Sequence, residues 1–319
     1  MCASKLYKQA IKDAVKAYEK FFEGLTGHPK YKSRKRSEPK FYADPVKIQF
    51  TATHVKLESI AQSRKKNRQC ANWFRLSEHE RIPFGTKYFN PRISFDGLNW
   101  FLMVGIEADA QELTARNDGI GIDLGVKDLA ICSSGHVYRN INKTSRVRRL
   151  KKKQRRLQRK ISRKYERNKK GESYQKTRNI IKSEKQLLRV THRLTDIRTN
   201  YIHQVTTGII KREPSFIVME DLNVKGMMKN KHLAKAVQEQ KLAEFYRIMQ
   251  YKCEWHGIRF ITVDRFYPSS KLCSFCGHKK QNLQLSDRIY ICEKCGTVID
   301  RDMNASMNLY QYGQSIINH

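Results

Sequence analysis

Four cysteines stand in the pattern C-x2-C-x15-C-x2-C within CSFCGHKKQNLQLSDRIYICEKCG: Cys273, Cys276, Cys292 and Cys295. Thiolates at this spacing are the donor set of a tetrahedral zinc site. With sulfur in all four positions, no coordination position stays open for a substrate. A zinc held there is structural and clamps a small ribbon. Each pair is followed by a glycine, Gly277 and Gly296, as a tight metal-holding turn requires. His278 reads as a surface residue and not as a ligand. The other four cysteines, Cys2, Cys70, Cys132 and Cys253, are scattered. In a reducing compartment grouped cysteines bind metal more often than they form disulfides.

The second constellation is acidic. Asp123 sits in the apolar run Ile120, Ile122, Leu124, Val126 of NDGIGIDLGVKDLAI. A buried, unpaired carboxylate is costly. On this stretch alone a central strand with an acid near its end and a surface turn fit equally well. Glu220 ends another apolar run, Phe216–Met219, and Asp300 and Asp302 open the last helix, in DRDMNASMNLYQYG. Parallel strands joined by a helical crossover align their C-terminal ends, which would bring Asp123 and Glu220 together with an acid of the final helix facing them. Three such charges at close range repel unless a cation lies among them. Hard carboxylate oxygens suit Mg²⁺ or Mn²⁺. Two such ions can activate water and stabilise the leaving oxygen of a phosphodiester.

The elements that must position these groups can be read coarsely. Residues 4–23 have a helical pattern stopped by Gly24, followed by the basic loop HPKYKSRKRSEPK. Residues 41–107 read as β structure: Val46, Ile48 and Phe50 alternate, and RISFDGLNWFLMVGIE forms a hairpin turning at Asp96-Gly97. About 60–90 has no assignable pattern. Asp123's strand leads into two more in LAICSSGHVYRN, joined by Ser133–Gly135. Residues 146–198 carry 22 Lys or Arg against 4 Asp or Glu. Leu150, Leu157 and Ile161 mark one apolar stripe there, and Ile181, Leu187, Leu188 and Leu194 another, so two antiparallel helices meet near NKKGES. Arg148, Arg149, Lys151, Lys152, Lys153, Arg155 and Arg156 are the expected phosphate grip. Residues 235–256 read as one helix stopped by Gly257, and IRFITVDRFY as a buried strand.

Over 319 residues the chain has 64 Lys+Arg against 30 Asp+Glu, a net charge of +34. That imbalance predicts strong attraction to polyanions. No run of 18 apolar residues is present, so a membrane span is not expected. The expectation is a cytoplasmic protein acting on nucleic acid, although charge alone does not separate an enzyme from a structural RNA binder.

Taken together, GIGIDLGVKDLAI, FIVMEDLNVKGM, SSKLCSFCG, YICEKCG and DRDMNASMNL resemble the TnpB (OrfB) proteins of bacterial insertion sequences, compact relatives of type V CRISPR effectors, over about residues 5–310. The resemblance implies an α/β chain whose RuvC-like RNase H fold spans 116–319, with a basic helical insertion at 142–200 and a zinc ribbon at 270–297. Before it would stand part of a helical recognition lobe (1–40) and a β wedge barrel (41–115), the lobe beginning later than is usual in the family. It further implies an RNA-guided DNA endonuclease of a transposable element. Its catalytic acids would be Asp123, Glu220 and Asp302, with Asp300 a neighbour that caps the helix or tunes the field. The implied cofactors are structural zinc and catalytic Mg²⁺ or Mn²⁺. The implied partners are a guide RNA from the transposon end, a double-stranded DNA target and its displaced single strand, in a prokaryotic cytoplasm at the nucleoid. Two rivals are a nuclease-inactive, repressor-like binder and a conventional transposase.

Overall fold

The run Ile120–Leu124 forms β7, and its neighbours show why an acid can stand in it. The computed structural model describes residues 4–33, 37–57, 72–82, 86–109, 113–114, 117–284 and 287–318. Cys2, Cys70 and residues 60–71 and 83–85 of the unassigned stretch at 60–90 lie outside them. The chain divides into two compact units, Met1–Asp109 and Ala110–His319.

In the first unit, α1 (Ser4–Phe22) precedes β1 (Lys40–Tyr42), β2 (Gln49–Phe50), β3 (His54–Lys56), β4 (Trp73–Arg75), β5 (Tyr88–Phe95) and β6 (Trp100–Ile106). They pair as two three-stranded sheets, β1-β5-β6 and β2-β3-β4. The β5–β6 hairpin turns through Asp96-Gly97 as its sequence implies, and the Asp96 carboxylate accepts from the backbone N–H groups of Leu98 and Asn99, both at 2.8 Å. The alternation at Val46 does not become a strand. Pro45–Lys47 is a 3₁₀ turn capped by Asp44, and Val46 is exposed. Proline at the first position fixes φ for such a turn and removes a ladder donor. Arg92 on β5 grips Asp13 on α1 through two hydrogen bonds of 2.5 and 2.7 Å. This holds the Asp13 carboxyl down to about 2.

The second unit is built on a mixed sheet. β7, β8 (Asp128–Cys132) and β9 (Val137–Arg139) form an antiparallel meander. On the other side of β7, β12 (Phe216–Glu220) runs parallel to it, and β13 (Arg259–Val263) runs parallel to β12. The order is β13-β12-β7-β8-β9. Between β9 and β12 come α2 (Ser145–Arg167), a short hairpin of β10 (Lys169–Lys170) and β11 (Ser173–Tyr174), and α3 (Arg178–Ile210). Val147, Leu157, Val190 and Leu194 make the seam between the two long helices. Of the second stripe, Leu187 and Leu194 lie in this seam, whereas its first member is off by one residue, since Ile180 is buried and Ile181 is exposed. α3 also runs past 200, and Ile202, Val205, Ile209 and Ile210 enter the core under the sheet. It is therefore part of the core as well as of a basic projection.

From β12 the chain passes through α4 (Val224–Met227), α5 (Ala234–Gln240) and α6 (Leu242–Trp255). The single helix read over 235–256 is broken at Lys241, whose φ is +56°. The break turns the buried Gln240 toward the end of β7, where its amide donates to the Gly125 carbonyl at 3.2 Å. A hairpin of β14 (Ile289–Ile291) and β15 (Val298–Asp300) leads directly into α7 (Arg301–Ile317). No described helix is long and apolar enough to cross a membrane.

Alternation decides which face of the sheet each residue serves. Ile120 and Ile122 of β7, with Ile217 and Met219 of β12, pack against Val205, Ile209, Phe245 and Met249 on one face. Phe216 and Val218 of β12, with Ile261 and Val263 of β13, pack against Leu309 of α7 on the other. By the same parity Gly121, Asp123 and Glu220 belong to the α7 face.

Candidate active site and metal-binding ribbon

The pairing of β12 with β7 matches Val218 to Gly121 and Met219 to Ile122. One step further puts Glu220 beside Asp123 on adjacent parallel strands, whose backbones lie about 5 Å apart. α7 crosses the same face with very little clearance. A Cβ built on Gly121 would come within 2.2 Å of the Ser306 carbonyl oxygen and 2.4 Å of the Tyr310 nitrogen. A Cβ on Gly313, near the other end of the helix, would meet Val218 and Phe216 at 2.4 and 2.5 Å. α7 therefore runs antiparallel to the two strands, and its N-terminus lies at their C-terminal ends. Asp302 stands one turn before Ser306, and Asp123 stands two residues beyond Gly121. Both steps are about 6 Å, so the third acid arrives over the first two.

The electrostatics agree with this placement. Burial pushes the Asp123 carboxyl well above the ordinary carboxylate range, and the charges of Glu220, Asp302 and Asp300 push it further, opposed by Arg301. Glu220 is raised by burial, against the hydroxyl of Ser269, which donates to Oε1 and favours the ionised form. Asp300 is the N-cap of α7, its Oδ1 accepting from the Asp302 and Met303 N–H groups at 3.0 and 3.1 Å. Asp300 therefore serves in both of the roles open to it, as the helix cap and as a charge acting on Asp123. A cavity of about 430 Å³ opens just past the end of β12, lined by Asp221, Asn223, Lys225, Tyr246 and Arg265 among others and by none of the three acids.

The four cysteines converge. Their sulfurs all lie within 4.8 Å of one another, with Cys273 and Cys295 3.6 Å apart and Cys276 and Cys292 3.5 Å apart. The two pairs sit in matching turns. The Cys273 N–H donates to the His278 carbonyl at 2.9 Å and the Gly277 N–H returns to the Cys273 carbonyl at 2.9 Å. The Cys292 N–H donates to Thr297 at 2.9 Å and the Gly296 N–H returns to Cys292 at 3.0 Å. Gly277 and Gly296 hold φ of +70° and +72°, a conformation that costs other residues dearly. Hydrogen bonds with Thr297 draw the Cys295 thiol down to about 6, while, against a backbone hydrogen bond with His278, desolvation and the neighbouring thiols push Cys276 up to about 12. Among the described residues this is the set gathered tightly enough to take a tetrahedral metal ion.

The expected phosphate grip is only partly free. Arg148, Arg149, Lys152, Lys153, Arg155 and Arg156 are exposed along α2. Lys151 is not: its ammonium lies 2.5 Å from the Glu239 carboxylate, which Arg198 also approaches at 3.5 Å. Three polar residues escaped the sequence reading. Ser269, Asn304 and Asn308 are all buried between the acids and the cysteines. The serine lies in SSKLCSFCG and the asparagines in DRDMNASMNL, where the acids and cysteines draw attention first.

Comparison with known proteins fits both halves of this arrangement. Residues 102–231 match the family described as "Probable transposase" (OrfB_IS605), and residues 243–309 match the "Cas12f1-like, TNB domain". A cryo-EM structure of Cas12f1 with sgRNA and target DNA shares the fold at a TM-score of 0.57 and 15% identity, covering 92% of this chain and 67% of that one. A "Putative RNA-guided DNA endonuclease" of Escherichia coli is 26% identical, over 97% of this chain and 74% of the relative. TnpB-like proteins of Acanthamoeba polyphaga mimivirus are 34% identical over a shorter 134-residue stretch. A protein of Streptomyces pristinaespiralis, also described as a "Putative RNA-guided DNA endonuclease", is 32% identical over 96% of this chain and 70% of its own length. At that identity and coverage, the chain belongs to the TnpB family.

Proposed function

We propose that this protein is an RNA-guided DNA endonuclease that hydrolyses phosphodiester bonds at a RuvC-like site of Asp123, Glu220 and Asp302. The observation that carries the reading is the register of β12 on β7 beneath an antiparallel α7, which brings three acids of one sign to one sheet end, where burial first and the neighbouring charges second raise the Asp123 carboxyl. An acid set under such mutual repulsion fits divalent cations with hard oxygen preference. Asp123, Glu220 and Asp302 would hold Mg²⁺ or Mn²⁺, which supplies an activated water and charge neutralisation at the leaving oxygen. The chain's own part is to hold the carboxylates converged, at the expense of their ionised forms, which a bound cation would restore. The Ser269 hydroxyl fixes one oxygen of Glu220, and the Asp300 cap fixes the first turn of α7 below Asp302.

Cys273, Cys276, Cys292 and Cys295 would carry a structural zinc that keeps the ribbon folded, since no position of such a site is open to substrate. The exposed basic face of α2 would hold a guide–target duplex by its phosphates, reading shape and not sequence. The guide RNA would derive from the transposon end, and the work would be done on DNA at a prokaryotic nucleoid. Support for guidance comes from the two relatives and from the fold shared with Cas12f1.

The test expresses the chain together with the flanking element DNA, purifies it with the RNA it retains, and assays cleavage of target DNA with and without Mg²⁺. Wild type is expected to cut only with the cation, and Asp123→Ala to bind the same RNA and DNA without cutting. Binding without cutting by both proteins would instead establish guided occupancy, and strand joining by the purified protein would establish transposase chemistry.

A further inference from the structure

The segment Ser269–Ser274 ties together parts of the molecule that the proposed chemistry keeps separate. At one end, the Ser269 hydroxyl donates to Oε1 of Glu220. At the other, Cys273 enters the metal-binding set. In between, the segment is laid along one face of α7, the helix that carries Asp302. The Asn308 amide donates to the carbonyls of Ser269 and Leu272, both at 2.7 Å. The Asn304 amide donates to the Leu272 carbonyl at 2.6 Å, and its oxygen accepts from the Ser274 N–H at 3.0 Å. One turn on, the Gln311 amide reaches the Ser274 carbonyl at 2.7 Å.

Residues 304, 308 and 311 follow the spacing of one helical face. Asn304 is wholly buried and Asn308 is 2% exposed. Such a network tolerates little displacement, because removing any one partner leaves a buried polar group unsatisfied. Whatever fixes the first cysteine turn therefore fixes the register of α7 and, through Ser269, the carboxylate of Glu220.

We propose that Ser269 is a positioning residue for Glu220, and that Asn304 and Asn308 form the relay by which the cysteine ribbon sets the geometry of the acids. The inference rests on the reading of Asp123, Glu220 and Asp302 as the metal-holding set. The Ser269 hydroxyl on Oε1 holds the Glu220 carboxylate in one orientation, in which it would meet a cation. Removing the hydroxyl frees the carboxylate to rotate and takes away a donor that favours its charge. Polar partners of this kind are worth roughly 10–100-fold in metal affinity.

The experiment measures Mn²⁺-induced thermal stabilisation of the full chain without DNA, alongside bound zinc per chain and Tm in chelator. Ser269→Ala is expected to keep wild-type zinc content and chelated Tm but to move the Mn²⁺ midpoint up by roughly tenfold or more. Ser269→Thr, which keeps the hydroxyl, is expected to return it toward wild type. Asn308→Leu is expected to move the midpoint in the same direction with zinc still bound. A wild-type midpoint in Ser269→Ala would overturn the positioning role, and a wild-type midpoint in a folded, zinc-loaded Asn308→Leu would overturn the relay. Glu220→Gln separates this outcome from failure of the underlying reading. If that variant responds to Mn²⁺ as wild type does, the acids are not the metal-holding set. If it loses the response while Ser269→Ala keeps it, only the positioning role fails.

Discussion

Asp123 is the residue at which function and stability oppose each other. Burial and the neighbouring acids raise its carboxyl above the ordinary value of about 4. A carboxyl raised in the folded state stabilises the fold fully below the unfolded pKa, and that contribution is lost as pH rises through the folded pKa. Without divalent cations, the contribution of Asp123 to stability is therefore lost on going from acid toward neutral pH. Asp123→Asn removes the ionisation and is expected to have the higher Tm at neutral pH, with the gap closing toward pH of about 4. Thermal melts of the two proteins in chelator across that range check the sign. Addition of Mn²⁺ is expected to close the gap from the other side, by stabilising wild type alone. A higher melting point in a cleavage-dead variant is what a site of assembled like charges predicts.

At the scale of elements, the approach of α7 to β7 is the packing on which the acid geometry depends. An added methyl at Gly121 would run into two backbone atoms of the helix, at 2.2 and 2.4 Å, so no side-chain rotation relieves it. Gly121→Ala is expected to cost about 1–3 kcal/mol, as overpacking does, and to lower cleavage beyond what the stability loss explains, because α7 must lift away with Asp302. Gly208→Ala on α3 is the control. Its nearest neighbour is the Tyr138 hydroxyl at 3.9 Å, and alanine in a helix gains up to about 1 kcal/mol over glycine. Denaturant melts and cleavage rates of the pair separate a clash from a mere methyl.

The same region shows what was legible in the chain. The strands bearing Asp123 and Glu220, the meander after the first, the two basic helices and the cysteine turns all leave local patterns that a sequence reading finds. The break at Lys241 does not, because an αL lysine in the middle of an apolar helical pattern has no local signal; its positive φ accompanies a long-range bond of Gln240 to Gly125. Nor does Val46, where alternation gave the period of a strand and Pro45 overrode it. Ser269, Asn304 and Asn308 are polar residues of ordinary type, and only the tertiary packing of ribbon on helix reveals what they hold.

For the whole molecule, a net charge of +34 makes association with nucleic acid a matter of counterion release. The basic residues of α2 are nevertheless not equivalent. Arg148, Arg149, Lys152, Lys153, Arg155 and Arg156 face solvent, whereas Lys151 spends its charge on Glu239 together with Arg198. Each exposed cation that neutralises a phosphate contributes about 0.7–0.9 to the slope of log affinity against log salt concentration. Neutralising Arg148, Arg149, Lys152 and Lys153 together is therefore expected to flatten that slope, by about that amount for each phosphate no longer neutralised, and to weaken binding alike for matched and mismatched targets. Lys151→Ala is expected to leave the slope where it was and to act instead on stability, by stranding a carboxylate that only Arg198 then neutralises. Binding isotherms at a series of salt concentrations, set beside melts of the same two proteins, distinguish a cation that grips nucleic acid from one that holds the protein together. An unchanged slope in the fourfold variant would move the polyanion-binding surface off α2 altogether.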